Sequence, residues 1–197
     1  MTAWDKFTVL CAPLTVIFEW FCLVFVLLSF NFDFNQPLSS LPYYHPEFAL
    51  FFGVSLTVVA TLFTTFTLAL RLYWKAVFRF AVICGLLFVV AGWSPYDPFN
   101  EGNFWSVVHA GAANLSVLGY TFIMFQISQR AHGALKQGSK IFFQIAVLGI
   151  IGVTLAIHVF NAYAAWFQIF LVLNVQAWGL YTAYCIWKER AGGGLTQ

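Results

Sequence analysis

The stretch FTVLCAPLTVIFEWFCLVFVLLSF, residues 7–30, decides the fold class of this chain. It carries one charged side chain, Glu19, in an otherwise uncharged run. A helix needs about 20 mostly apolar residues to cross a hydrocarbon core about 30 Å thick. The stretch therefore predicts a membrane-spanning helix. A transmembrane β-barrel is not indicated, because its strands are short and alternate between apolar and polar residues.

The rest of the chain repeats this pattern. Of its 197 residues, 61% are hydrophobic and 8% are charged, whereas charged residues make up about 25% of a soluble domain. Short polar breaks separate five further apolar runs, which predict spans at 48–70, 77–93, 104–127, 141–160 and 166–187. We expect an all-α fold, in which residues 1–197 form one polytopic transmembrane bundle of six helices.

The basic residues all fall at alternate ends of the predicted spans. Because positive side chains near span ends are retained in the cytoplasm, both termini are expected to be cytoplasmic, in a cell inner or plasma membrane. All nine follow the alternation: Lys6, Arg71, Lys75, Arg79, Arg130, Lys136, Lys140, Lys188 and Arg190. Arg71, Lys75 and Arg79 are also four residues apart. That spacing predicts one face of a helical extension in contact with anionic lipid headgroups.

Glu19 lies near the middle of the first span, where an ionisable side chain costs about 2.5 to 3.5 kcal/mol on insertion scales. At helical spacing it shares a polar stripe with Cys11, Thr15 and Cys22, and this stripe is expected to face protein. Two interpretations are open. Glu19 is either a protonatable group for a proton or cation step, or a protonated side chain hydrogen-bonded to an Asn or Gln of another helix.

Polar residues also cluster where the outer ends of spans four and five are expected. His109 lies five residues after the start of span four, and His158 and Asn161 lie near the outer end of span five. The loop before span four adds Asp97 and Glu101. Carboxylates without basic neighbours make this face negative, so it is expected to attract cations.

Three functional hypotheses fit this cluster. The first is a ligand pocket in which Asp97 and His109 position a polar head group while aromatic side chains hold an apolar tail. The second is a zinc site with His109, His158 and an acidic partner as ligands, and with Glu101 or Asp97 as the base. The third is b-type haem held between His109 and His158. For each histidine, a structural interhelical hydrogen bond remains the alternative.

The run AGWSPYDP, residues 91–98, is followed by His109 and by the small residues 110–113. This combination resembles an uncharacterised six-span membrane family, domain of unknown function nine-nine-eight. The six-span topology also resembles the broader FRAG/DRAM/Sfk grouping of membrane proteins. The resemblance implies that Pro95, Asp97 and His109 are family-type positions, and it implies no reaction. From capping chemistry alone, Asp97 is expected to accept from backbone N–H groups at the start of span four.

These features predict an integral membrane protein with an outward-facing pocket that binds or moves a lipid-like or small amphiphilic ligand. The candidate ligand-binding residues are Glu19, Asp97, Glu101, His109, His158 and Asn161. A metal-dependent membrane-embedded hydrolase, a b-type haem protein and a structural subunit of a membrane complex are the alternatives, so enzymatic activity is left open. No cofactor is expected. Expected partners are membrane lipids, a second copy of the chain or a membrane complex, and not nucleic acid.

Overall fold

The computed structural model describes the backbone of residues 1–29, 38–160 and 165–191, and the side chains of these ranges except 156–160, 165, 167 and 191. The helices are α1 (Ala3–Ser29), α2 (Leu41–Tyr44), α3 (Ala49–Phe66), α4 (Val77–Trp93), α5 (Phe104–Arg130), α6 (Gly133–Phe160) and α7 (Ala165–Ala191). Short 3₁₀ segments are Leu38–Ser40, Pro46–Phe48 and Thr67–Leu72. No strand occurs within these ranges. The all-α prediction is confirmed.

The six long helices form a closed ring. α1 packs against α3, and α3, α4, α5 and α6 each pack against the long helix that follows. α7 returns to α1 and closes the ring. Because most connections are short, consecutive long helices run antiparallel. The closure brings the first and last helices of the chain into direct contact.

Five helical segments are long and apolar enough to cross a membrane by length and composition: Ala3–Ser29, Pro46–Leu72, Phe104–Arg130, Gly133–Leu155 and Gln168–Arg190. The sixth apolar helix, α4, has 17 residues, which gives it a length of about 25 Å at 1.5 Å per residue. The outer surface of the ring is also apolar, with Leu28 83% and Leu148 69% exposed. This is the architecture of a helical membrane bundle.

α6 begins eight residues before the fifth span predicted from the sequence. The predicted break at 128–140 is helical except for Ala131 and His132. Gly133 permits this tight turn, because it adopts a φ of 54°, which glycine tolerates without strain. Hydropathy shows where a helix leaves apolar surroundings, and residues such as Lys136 end the apolar run without ending the helix.

Aromatic side chains fill the interior of the ring in the half nearer the N-terminus of α1. Phe63 of α3 meets Tyr120 of α5 edge to face, with ring centroids 5.1 Å apart and planes at 87°. Phe63 also lies 6.3 Å from the ring of Trp178 on α7. Phe66 and Ile123 complete this part of the core and are fully buried. The aromatic core thus ties α3, α5 and α7 together across the ring.

The two ends of the bundle differ in charge. The basic end contains all nine Lys and Arg residues. Its segments are joined by an ion pair between Arg190 and Asp5 at 3.1 Å and by Arg130, which lies 5.4 Å above the Trp74 ring. The acidic end contains three described carboxylates: Glu47, Asp97 and Glu101. The alternation of basic residues in the sequence becomes a separation of charge along the bundle.

The basic loop between α3 and α4 is not the helical extension that the spacing of Arg71, Lys75 and Arg79 predicted. The 3₁₀ segment Thr67–Leu72 tightens the end of α3, turn residues follow, and α4 starts at Val77. Arg71 and Lys75 line one cavity, whereas Arg79 lies on the first turn of α4 outside it. The prediction of a single helical face was wrong because the turn interrupts the helix, so that residues four apart on its two sides do not share a face.

Candidate functional site

A cavity of about 130 Å³ lies between α1, α3 and α7, in the half of the bundle nearer the acidic end. Its walls are mainly apolar and include Val26 of α1, Val59 of α3 and Leu173 of α7. The carboxyl, hydroxyl and amide side chains that reach it are those of Glu19, Ser55 and Gln176. The cavity therefore combines a hydrocarbon-like wall with a few polar atoms, as small-molecule sites do.

Glu19 is held by a residue of the last helix. Gln176 Nε2 donates to Glu19 Oε2 at 2.6 Å, and Trp20 Nε1 donates to Gln176 Oε1 at 3.2 Å. Gln176 is buried, whereas Glu19 is half-buried and borders the cavity. Glu19 Oε1 has no hydrogen-bond partner among the described residues. One carboxyl oxygen thus fixes α1 to α7, and the other remains available to a ligand.

The polar stripe predicted on α1 does face protein. Cys11 is 0%, Thr15 2% and Cys22 8% exposed. Thr15 Oγ1 donates to the carbonyl oxygen of Cys11 at 2.7 Å, so its hydroxyl is satisfied within α1. Of the two interpretations of Glu19, a hydrogen bond to an Asn or Gln of another helix is the one that the Gln176 contact matches.

The segment Leu38–Phe48 covers the cavity at the acidic end. The backbone N–H of Leu38 donates to Gln168 Oε1 at 2.9 Å, which ties the start of this segment to α7. Leu38 and Leu41 line the cavity, and Leu41 packs in a buried cluster with Val26 of α1. The short helices after α1 therefore form a cover that closes the cavity on the side of the acidic end.

Asp97 lies in the turn that follows α4. Its Oδ1 accepts from the backbone N–H groups of Phe99 at 2.9 Å and Asn100 at 3.2 Å. Its own N–H donates to Ser106 Oγ at 2.9 Å. The N-cap of α5 is Asn103, whose Oδ1 accepts from Ser106 N at 2.9 Å. The prediction that Asp97 accepts from the start of α5 was wrong, because its own turn supplies the donors.

His109 is 6% exposed and closes the end of α4. Its Nδ1 lies 2.8 Å from the carbonyl oxygen of Ala91 and 3.0 Å from that of Ser94. Because carbonyl oxygens only accept, Nδ1 carries the proton and donates to both. The last carbonyls of a helix have no partner within it. His109 therefore joins α5 to α4 by satisfying backbone groups that α4 leaves unpaired.

Glu101 accepts a hydrogen bond from the Tyr96 hydroxyl at 3.0 Å. The Tyr96 ring in turn packs 5.5 Å from the ring of His109. Sequence reasoning missed Tyr96, although it lies inside the motif 91–98. The structure thus brings Glu101, His109 and Asp97 to one end of the bundle, but none of them lines the cavity beside Glu19.

The two remaining candidates belong to the region around the end of α6. His158 is a residue of α6, and its side chain lies outside the described residues, as does Asn161 altogether. α6 packs against α5, whereas the described partners of the His109 ring belong to α4 and the loop after it. A contact between His109 and His158 stays a prediction.

Among the side chains that the structure describes, which do not include that of His158, no group of three or more His, Cys, Asp and Glu could hold a metal ion. The zinc and haem hypotheses both relied on His109. With Nδ1 donating to carbonyl oxygens, Nε2 is the single atom that this histidine could offer as a ligand.

No protein-family model, no curated protein and no solved structure matches this chain. The resemblance of residues 91–98 and His109 to domain of unknown function nine-nine-eight, and of the topology to the FRAG/DRAM/Sfk grouping, stays a prediction. The functional assignment depends on the cavity and the side chains that line it.

Proposed function

We propose that this protein binds or moves a lipid-like or small amphiphilic molecule, and that the molecule occupies the cavity between α1, α3 and α7. The apolar part of the ligand packs against Val26 and Val59, and its polar group contacts Glu19. One observation carries the proposal: an apolar cavity is lined by Glu19, whose Oε1 atom has no hydrogen-bond partner in the described part of the chain.

The chemistry of Glu19 indicates which polar group the ligand brings. A ligand hydroxyl or amino group can donate to Glu19 Oε1 when the carboxyl group is ionised, and it can accept from the carboxyl O–H when Glu19 is protonated. The polar group of the ligand is therefore a hydroxyl or an amino group. A fatty acid fits less well, because two carboxyl groups at short distance disfavour each other's charged form. Long-chain alcohols and amino alcohols are the amphiphiles that this site suits best.

The size of the cavity limits how much of the ligand it encloses. From Glu19 to Val26 it extends about 10 Å along α1 at 1.5 Å per residue. An apolar cavity of about 150 Å³ binds benzene in an engineered protein, so about 130 Å³ accommodates a short length of hydrocarbon. Trp20 and Leu173 line the cavity and are 41% and 39% exposed. We place the mouth between them, so that the rest of the chain stays in lipid.

The proposal includes an orientation in the membrane. The positive-inside rule assigns the basic end to the cytoplasm, so that six helices cross an inner or plasma membrane and both termini are cytoplasmic. α4 is then the sixth crossing helix. In this orientation the cover Leu38–Phe48 faces outward, and the cavity lies in the outer leaflet.

Photo-crosslinking tests the cavity directly. The full chain, in phosphatidylcholine nanodiscs, is labelled with a long-chain amino alcohol that carries a diazirine in its chain and a terminal alkyne. We expect saturable labelling of peptides that contain Glu19 to Val26 and Phe51 to Val59. Val59→Phe puts a ring into the cavity and should abolish the saturable part. Val54→Phe makes the same change at a position on α3 that is 45% exposed, and this variant should keep the saturable labelling.

Both variants are first checked for wild-type elution in size-exclusion chromatography. Labelling of the wild type that only rises linearly with probe concentration contradicts the proposal, as does equal labelling of the two variants. Glu19→Leu tests the polar contact. The preference of this variant for the amino alcohol over a hydrocarbon probe of equal length should be about 3- to 20-fold lower than that of the wild type. This factor corresponds to ~0.6 to ~1.7 kcal/mol, the free energy of an interhelical hydrogen bond in a membrane.

A further inference from the structure

A second cavity lies at the basic end, far along the bundle from the first. It has a volume of about 420 Å³ and is formed by the first turns of α1, the 3₁₀ segment Thr67–Leu72 with the turn after it, and the last turn of α7. Three basic side chains line it, those of Arg71, Lys75 and Arg190, together with one carboxylate, Asp5. Three positive charges and one negative charge leave a net charge of +2 in this basic pocket.

The carboxylate in the basic pocket is already engaged. Asp5 Oδ1 lies 3.1 Å from Arg190 Nη1. Asp5 Oδ2 accepts from the backbone N–H of Thr2 at 3.0 Å and from its hydroxyl at 2.9 Å. Arg71 and Lys75 have no carboxylate partner in the described part of the chain. The excess positive charge is therefore concentrated on these two side chains.

The local fold holds both side chains at the same cavity. Arg71 lies in the last turn of the 3₁₀ segment and Lys75 lies in the turn before α4. Between them, the Tyr73 hydroxyl donates to Glu189 Oε2 at 2.6 Å, which anchors the turn to α7. Burial, together with this hydrogen bond to a carboxylate, raises the pKa of Tyr73 above its ordinary value. Tyr73 therefore remains a donor over the physiological pH range.

Apolar surface adjoins the charges. Trp4 is 60% and Leu72 62% exposed, and both line the basic pocket. A free inorganic anion would leave this apolar surface unused. A phospholipid would use both parts, because its phosphate and the start of its acyl chains lie next to each other. Basic pockets between helices at the inner surface of a membrane bind anionic headgroups in this way.

We propose that the basic pocket binds the phosphate group of an anionic glycerophospholipid, with Arg71 and Lys75 as its direct ligands. Arg190, held by Asp5, adds to the positive field, and Trp4 and Leu72 contact the upper part of the acyl chains. This site is separate from the cavity at Glu19, and its occupation does not depend on that cavity's ligand.

Native mass spectrometry of the full chain in mild detergent tests the proposal, with phosphatidylglycerol as probe and phosphatidylcholine as neutral comparison. Arg71→Ala/Lys75→Ala should weaken phosphatidylglycerol binding about 30-fold, since two basic residues contribute about 1 kcal/mol each and about 1.4 kcal/mol is a factor of ten. Lys136→Ala/Lys140→Ala removes the same charge at the same end and should have little effect, because neither side chain lines the pocket.

The charge-preserving exchange Arg71→Lys/Lys75→Arg should retain binding, which separates loss of charge from loss of folding. If the two alanine pairs weakened phosphatidylglycerol binding equally, the lipid would be attracted by the overall charge of the basic end. That result would overturn the proposal that the basic pocket binds it. Equal binding of phosphatidylcholine would overturn selectivity for an anionic lipid. Inorganic phosphate is added as a competitor. Displacement of the lipid at a phosphate concentration equal to that of the lipid would assign the site to a free anion and overturn the lipid as its ligand.

Discussion

His109 donates from Nδ1 to two carbonyl oxygens near the end of α4, and Ser116 Oγ donates to the carbonyl oxygen of Cys84 at 3.0 Å. Asn174 Nδ2 donates to the carbonyl oxygen of Phe142 at 3.2 Å. In hydrocarbon, an unpaired backbone group costs several kcal/mol. These polar side chains thus join neighbouring helices through the backbone. Glu19 differs, because one of its oxygens has no partner among the described residues.

Replacing His109 tests its role at the end of α4. His109→Ala should lower the free energy of unfolding by about 1 to 3 kcal/mol, because buried carbonyl oxygens lose their donor. Denaturant titration in mild detergent, followed by circular dichroism, measures the change. His132→Ala, an exposed histidine in the turn before α6, is the control and should change stability by less than about 0.5 kcal/mol. An unchanged stability of His109→Ala would contradict this role.

The pair Glu19 and Gln176 is suited to a double-mutant cycle. Glu19→Leu and Gln176→Leu should each destabilise the bundle, and the double variant should cost less than the sum of the two. The expected coupling energy is about 0.6 to 1.7 kcal/mol, the range for interhelical hydrogen bonds in membranes. The same denaturant titration measures it. Additive effects would mean that the 2.6 Å contact does not join α1 to α7.

Part of the candidate site could be predicted from the sequence, residue by residue. The spacing of Cys11, Thr15 and Cys22 correctly assigned the protein-facing side of α1. The partner of Glu19 could be assigned only by residue type, because α7 offers both Gln168 and Gln176, and Gln168 binds the backbone of the cover instead. Only the closure of the ring decides between them. The cavity itself leaves no local sequence signal.

Among the elements, α4 and α5 pack closely against each other at Gly119. A Cβ atom at Gly119 would overlap the Sγ atom of Cys84. Gly119→Ala should therefore destabilise the protein by about 1 to 3 kcal/mol, as overpacking does, and Cys84→Ala should restore much of that loss. Gly111→Ala on the same helix meets no atom within 4 Å and should be neutral or stabilising. Thermal unfolding in detergent compares the three variants, and equal effects at the two glycines would contradict this contact.

The helix boundaries were predictable where polar or helix-breaking residues coincide with helix ends. α4 has the predicted bounds, because basic residues precede it and Pro95 follows it. α5 starts at Phe104, directly after its N-cap Asn103. α6 was misjudged because its first turns are polar yet helical. The break at 71–76 was predicted, but it was interpreted as a helical extension because its basic residues have helical spacing. Hydropathy detects lipid-facing surface, whereas the helix is defined by its hydrogen bonds.

For the molecule as a whole, the decisive property is that the ring of helices separates the two proposed sites. The cavity beside Glu19 lies toward the acidic end, and the basic pocket lies at the opposite end. α1 and α7 contribute to both. Charge separation of this kind orients a bundle in a membrane, because basic segments remain with the cytoplasmic leaflet. Both proposals therefore depend on α4 crossing the bilayer despite its 17 residues.

Cysteine accessibility in sealed right-side-out vesicles tests this central claim most directly. The four native cysteines are buried and are replaced by alanine or serine, and single cysteines are introduced as Lys75→Cys and Phe99→Cys on either side of α4. A membrane-impermeant maleimide should label Phe99→Cys in intact vesicles and Lys75→Cys only after permeabilisation. Labelling of both positions from the same compartment would contradict six crossings and, with them, the placement of both sites.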